Sequence, residues 1–564
     1  MKKAKHYLTN LSFLVVFAMF GLFSSCSKND NSTPTFANPT ISVTPTSPQQ
    51  SPGNVVTFSI AVTADAGLAS VDLNGTNIKS YTTDTKTDAF SYDYTVPADQ
   101  ALGSATLTFT VTDKQTTAKT ASAGASLTVT ANPIQTVTIE NSISTNQTWT
   151  ASNHYLLKGN IYVESGAELT IKPGTLIFGD KATKGALVIS RGGKIHAVGT
   201  PDSVIIFTST APKGFRNYGD WGGVILLGKA PNNQSTSQAI EGITPGSGGG
   251  DNGLYGGTDD NDNSGEFEYC RIEFAGIALS TDNEINGLTF GSVGRGTKID
   301  HVQVSYSGDD SYEWFGGSVT VSYLVAFRGW DDEYDTDFGF HGTGQFLVSY
   351  RDPNQADKSQ SNGFESDNDA QGDDNTPTTT ATFANVSFFG PYVFAALSGG
   401  GALNPSNVNN NYAHGAHIRR NSALQVYNCA FVGQSKLDGV YFQNTNASAV
   451  FKGNYIGRIT GPELTVTPKT TNPYDTTGFH ANNWIENPIS KVDLSDKWAG
   501  LSGVSDLTNP PALLAAGSPL LTAGTTLPDN PYLIDKTVQY VGAFDDSHNW
   551  LTGWTNFDPN NTDY

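Results

Sequence analysis

The chain has 564 residues with 53 Asp and Glu against 32 Lys and Arg, a formal charge of −21, 59 glycines and two methionines. That acidity excludes a polyanion such as nucleic acid as partner. Its three cysteines, Cys26, Cys270 and Cys429, show no Cys/His metal spacing and allow at most one disulfide once Cys26 is committed elsewhere.

Lys2, Lys3 and Lys5 precede an apolar run, Leu11 to Phe23, that is too short for a comfortable membrane span. Leu22-Phe23-Ser24-Ser25-Cys26 follows and resembles a lipobox. The reading is a signal peptide over residues 1–25, lipidation at Cys26 and a polar tether over 26–37. It implies a protein anchored by lipid in the outer membrane, its body at the cell surface, with no transmembrane helix in the mature chain. Residues 38–132 alternate apolar and polar in short runs, as in Val55 to Ile60 and Ala105 to Val111, which predicts a small immunoglobulin-like β-sandwich acting as a spacer.

From Gln135 to Tyr564 short strands rich in Val, Ile and Leu are separated by glycine corners, and the spacing predicts a right-handed parallel β-helix with loop insertions and a C-terminal cap. An internal repeat carries the prediction. Seven segments close on Gly276, Gly308, Gly329, Asp352, Gly390, Gly433 and Gly457, and two positions before these stand Phe274, Tyr306, Phe327, Tyr350, Phe388, Phe431 and Tyr455. Two positions earlier come Ile272, Val304, Val325, Val348, Val386, Cys429 and Gly453, so one internal ladder with an aromatic ring per coil is expected. The stretches Asn217 to Pro231, Asp282 to Gly294, Val304 to Gly317 and Tyr540 to Phe557 resemble those of Bacteroidetes-type envelope lipoproteins. The resemblance implies a pectate-lyase-like β-helix and an envelope location, without implying an activity.

Between Asp251 and Asn375 there are 25 Asp and Glu against 6 Lys and Arg, a balance of −19. Three acidic corners follow consecutive repeat strands: Asp309, Asp310 and Glu313; Asp331, Asp332 and Glu333 with Asp335 and Asp337; and Glu365, Asp367 and Asp369. Asp310 and Asp332 are one coil apart and should stack, at a repulsion of about 3–4 kcal/mol. Ca²⁺ bound by oxygen ligands would relieve it, raised pKa values or solvent exposure being the alternatives. Two loops, Asp260-x-Asp262 to Gly265 and Asp367-x-Asp369 to Gly372, read D-x-D-x-polar-G and favour the cation. Tyr312, Trp314, Trp330 and Tyr334 crowd the same corners, either as a sugar-binding platform or as packing over the core.

Three functions stay open. The first is non-catalytic binding of a glycan or another extracellular ligand through this face. The second is a Ca²⁺-dependent polysaccharide lyase or hydrolase, with Arg328, Arg351 or Lys358 as base or Asp335 and Asp337 as an acid pair. The third is an adhesin or structural stalk. His341, His414 and His417 read as structural or surface residues.

Overall fold

The computed structural model describes residues 35–246, 249–280, 283–395, 408–434, 437–457, 462–467, 476–486, 494–501 and 506–564, so residues 1–25, expected as a signal peptide, and Cys26 lie outside the described residues. Two compact units divide the chain, residues 1–133 and 134–564. In the first, strand Val55–Thr63 buries every second side chain, with Phe58, Ile60 and Val62 inward. Its three-stranded sheet packs on a five-stranded one, Phe58 meeting Phe109 at 5.0 Å between ring centroids. Two half-polar sheets closing one apolar layer give the sandwich.

The second unit is a solenoid. Its parallel strands form one sheet of seventeen strands and one of ten, each coil adding strands to both. Among the described residues α-helix is confined to Pro391–Phe394, Thr476–Asn482 and Leu494, and no helix is long and apolar enough to cross a membrane.

The long sheet bends where one non-glycine residue per coil adopts a positive φ: Tyr269, His301, Tyr323, Phe346, Asn385 and Asn428, all between 46° and 61°. Such a backbone costs about 1–3 kcal/mol per residue unless its surroundings fix it. Here the first four rings stack outside the coil, at centroid distances of 4.4, 4.5 and 5.3 Å.

The single aromatic ladder expected from the repeat is divided by the register. Phe327 pairs with Tyr350, but Tyr350 pairs with Phe389 rather than Phe388, while Phe388 pairs with Phe431. A one-residue slip moves a side chain to the opposite face. Phe388 and Phe431 therefore stack inside the coil, centroids 4.9 Å apart, with Ile272 and Val304 in the same core. Phe327, Tyr350 and Tyr455 lie on the outer face in a second apolar cluster, and Phe274 and Tyr306 stack at a corner at 5.1 Å.

That outer cluster is covered by the C-terminal segment. Trp498, Leu514, Phe544 and Trp554 pack onto Val325, Phe327, Val348 and Tyr350. Amide side chains from four coils hold it: Asn428 donates to the Thr525 carbonyl at 2.9 Å, Gln345 to Asp535 at 2.7 Å, Asn385 to Tyr540 at 2.9 Å and Gln303 to Asn556 at 2.7 Å. The segment so begins over the coil of Asn428 and reaches that of Gln303. Cys270 and Cys429 are both buried and free, so no disulfide links them.

Candidate metal centre

In the ten-stranded sheet, register places Tyr162, Val188, Ile225, Thr289, Glu313, Asp335, Glu365, His417, Tyr441 and Thr465 in one outward column. Its first three members are apolar because Ile240, Ile243 and Tyr255 cover them. The next coils lack that cover and turn acidic. Three residues before the members from Thr289 to Tyr441 lies a second row, Asn286, Asp310, Asp332, Asn362, His414 and Asp438. Asp310 Oδ1 accepts the Asp332 amide N–H at 2.8 Å, and an Asp332 carboxylate oxygen accepts that of Asn362. The carboxylates of the second row are thus pinned one above the next by backbone donors.

The strand period sends the intervening residues inward. Tyr312, Trp314 and Tyr334 are all 0 % exposed, which overturns their reading as a sugar-binding platform. Tyr312 and Tyr334 stack at 5.5 Å, and their hydroxyls donate to the carbonyls of Val302 and Val348 at 2.8 and 2.9 Å. They are core struts. Trp330 alone of the four is half-buried; its Nε1 donates to Asp357 at 3.2 Å and it meets Tyr218 edge-on.

The two rows bound an open cavity of about 330 Å³ lined by Asp309, Asp310, Glu313, Asp331, Asp332, Asp335 and Glu365, with Lys358 and Arg419 also in its wall. Carboxylate oxygens of Asp309, Asp310 and Asp331 lie within 4.8 Å of one another, as do those of Asp310, Asp332 and Asp335, so Asp310 belongs to both groups. These acidic groups are close enough to hold a metal ion. Two ionised carboxylates 4.8 Å apart repel by about 3.5 kcal/mol at an effective dielectric near 20. Burial, and then the neighbouring negative charges, push Asp309, Asp310, Glu313, Asp332 and Asp335 well above the usual carboxylate range. Glu365 is also raised by burial, although Arg419 opposes the shift. Asp331 is raised to about 6 and Asp337 to about 8, again chiefly by burial.

Buried oxygens without hydrogen bonds mark the same place. Asp331 Oδ1 and Asp335 Oδ1 have no partner, and neither do the Oδ1 atoms of Asn286 and Asn362, whose Nδ2 groups donate to Glu313 and Glu365. An all-oxygen set with unsatisfied lone pairs suits a hard cation rather than zinc or copper.

Several expected ligands are elsewhere. Asp260 binds Arg295 and His341, each at 3.0 Å. Asp367 binds Arg419 at 2.8 Å and Arg420 at 2.6 Å. Asp369 accepts the amide N–H groups of Gln371, Gly372 and Asp373 and the Asn375 side chain. The second D-x-D loop is therefore closed by its own donors and an arginine pair, and neither loop joins the cavity. Asp262 is buried outside it, with Oδ2 unpaired.

Glu333 points away, toward Arg351 Nη1 at 3.4 Å. Arg351 is 0 % exposed, with further donations to the Trp330 and Gln355 carbonyls, so it cannot serve as a base for an external substrate. Arg328 pairs with Asp352 and lies 4.9 Å over the Tyr306 ring, outside the cavity wall. Asp337 stacks on Phe315, one pleat beyond the Glu313 and Asp335 column.

Sequence reasoning missed Asn286, Asn362 and Arg419, and named His414 and His417 only as structural or surface residues. The signal was present as a recurring tetrapeptide, polar-x-apolar-polar: Asn286 to Thr289, Asp310 to Glu313, Asp332 to Asp335, Asn362 to Glu365, His414 to His417 and Asp438 to Tyr441. Its two polar positions are the two outward rows.

The family model described as pectate-lyase like beta helix domain matches residues 141–487. No curated protein and no solved structure matches the chain.

Proposed function

The chain belongs to the pectate-lyase-like β-helix domain family, and on that premise we propose that it is a cell-envelope lipoprotein, anchored through Cys26, whose acidic cavity holds Ca²⁺ and through it an extracellular glycan. The observation that carries this reading is the pair of carboxylate groups sharing Asp310, beside oxygens that have no other partner. Ca²⁺ accepts about 6–8 oxygens in flexible geometry. Asp310, Asp332 and Asp335 would supply the protein ligands, with Asp309 and Asp331 on the adjoining side. When bound, the ion neutralises the stacked charge and offers its remaining positions to hydroxyl or carboxylate oxygens. Half-buried Trp330 and Tyr218, at the Asp357 end of the cavity, suit the apolar face of a sugar ring.

Binding without turnover is favoured because Arg328 and Arg351 are committed to internal partners. A Ca²⁺-dependent lyase or hydrolase stands second, on the observation that Lys358 and Arg419 share a cavity wall with carboxylates of raised pKa. A glycan array run in Ca²⁺ and again in EDTA tests the proposal. Retention that requires Ca²⁺ and leaves the polymer intact supports a binding protein; unsaturated or newly reducing ends that disappear in Lys358→Ala support the enzyme. Equal glycan retention with and without EDTA counts against cation-mediated binding.

A further inference from the structure

Five carboxylates of the acidic cavity fall into two groups and not one. Oxygens bound to a single Ca²⁺ lie about 2.3–2.6 Å from it, so two of them can be no more than about 5 Å apart. Asp309, Asp310 and Asp331 meet that limit together, and so do Asp310, Asp332 and Asp335, each set within 4.8 Å. Asp309 and Asp331 do not join Asp332 and Asp335 in one group. With the carboxylates where they stand, a single ion cannot draw on all five.

The division follows from the corners. Asp309 and Asp310 are neighbours in the chain, as are Asp331 and Asp332 one coil later. The backbone stacks the two pairs: the Asp331 N–H reaches the Asp309 carbonyl at 3.5 Å, and the Asp332 N–H reaches Asp310 Oδ1 at 2.8 Å. Neighbouring side chains diverge, so each corner offers one carboxylate to either side. The charges that act most strongly on Asp309 are those of Asp331, Glu284 and Glu241, whereas Asp310 is acted on by Asp332, Asp309 and Glu313. Asp335, on the strand Tyr334–Asp337 that follows the second corner, completes the other set. Asp310 alone belongs to both.

Each group also holds a buried oxygen with no hydrogen-bond partner, Asp331 Oδ1 in the first and Asp335 Oδ1 in the second. Ser359 engages only the other oxygen of Asp331, donating to Oδ2 at 2.9 Å. On Asp310 the Asp332 amide takes one lone pair of Oδ1, which leaves Oδ2 and a second Oδ1 lone pair for metal. Charge gives the same answer. Ionised together the five carry −5; one divalent ion leaves −3, and a second leaves −1. Arg419 does not fill the gap, because Glu365 and Asp367 hold it, and Lys358 supplies a single charge.

We propose that the cavity binds two hard divalent cations, one in each group, bridged by the Asp310 carboxylate. This rests on the Ca²⁺ reading above and adds to it the second ion and the bridge. Paired ions in such sites stand about 3.5–4 Å apart, a separation that fits within the coil spacing of about 4.8 Å. Each oxygen of Asp310 serves one ion, Asp309 and Asp331 complete the protein's share of the first, and Asp332 and Asp335 that of the second.

The test uses the full-length protein, purified in detergent, stripped with chelator and titrated with Ca²⁺ itself by equilibrium dialysis. The wild type should bind two Ca²⁺ per chain. Asp309→Asn and Asp335→Asn should each leave one, and Asp310→Asn should lose both at the concentration that saturates the wild type. Mn²⁺, which takes the same oxygen ligands, should give the paramagnetic resonance of a magnetically coupled pair in the wild type and of an isolated ion in Asp335→Asn. Metal-free melting midpoints verify that the variants fold; where one does not, the wild-type stoichiometry and resonance decide. One Ca²⁺ per chain with Mn²⁺ isolated overturns the pair and leaves the single-ion reading standing, whereas no Ca²⁺ at all defeats both. Two ions that persist in Asp310→Asn or in Asp309→Asn place one of them outside these corners and overturn the bridge.

Discussion

Asp332→Asn should stabilise the protein in EDTA, and Ca²⁺ should erase that advantage. Asp332 sits with Asp310 and Asp335 inside 4.8 Å, and each ionised pair at that distance costs about 3.5 kcal/mol. Partial protonation relieves some of this, so removing the charge should gain about 3 kcal/mol near neutral pH without cation. The oxygen that accepts the Asn362 amide is kept in asparagine, so the backbone pin survives. With Ca²⁺ at about 100 times its dissociation constant the wild type gains about 2.7 kcal/mol by mass action, which the variant loses. Thermal or urea unfolding of both proteins, with EDTA and with Ca²⁺, reads the convergence directly. Equal midpoints in the two conditions for the wild type, or a variant less stable in both, would refute the reasoning.

Phe431→Ala and Phe327→Ala should each cost about 3–5 kcal/mol, the first inside the coil and the second beneath the C-terminal segment, where Phe557 meets Phe327 at 5.1 Å; Ser322→Ala should cost little, and urea midpoints compare the three. Without cation, stability should fall as pH rises. Asp331 and Asp337 have folded-state values of about 6 and 8, raised above the ordinary 3.8, so their contribution is complete below about pH 4 and is lost as pH climbs through 6 and 8. Saturating Ca²⁺ should flatten that slope, and melting scans from pH 5 to 8.5 in EDTA and in Ca²⁺ measure it. Cys26→Ala should move the protein from the membrane fraction to the soluble one, as fractionation and immunoblotting would record; retention in the membrane would remove lipidation at Cys26 from the account.

The solenoid was legible because its signal is repetitive: each coil returns an aromatic or aliphatic residue at the same phase, and glycines mark the corners. The face of each ring was not. Phe388 and Phe389 are adjacent, and only the pairing of Tyr350 with Phe389 decides which of them points inward. The acidic stacking of Asp310 on Asp332 followed from their spacing, but the neighbouring aromatics were misplaced because acidic corners suggested exposure. Tyr312 and Tyr334 alternate with Glu313 and Asp335 along single strands, so the charges outside require the rings inside. The D-x-D loops failed for a different reason. A cation loop and an aspartate closed by its own backbone donors share a sequence pattern, and Asp367 and Asp369 differ from ligands only through Arg419, Arg420 and local N–H groups that lie far apart in the chain or carry no side-chain signal.

Calcium titration by calorimetry into chelator-stripped protein at pH 7.5, wild type beside Asp310→Asn/Asp332→Asn, tests the cation site most directly. The account predicts stoichiometric binding by the wild type and loss of most of it in the double variant; wild-type protein that takes up no Ca²⁺, or a variant that binds it equally well, would contradict the assignment of this cavity.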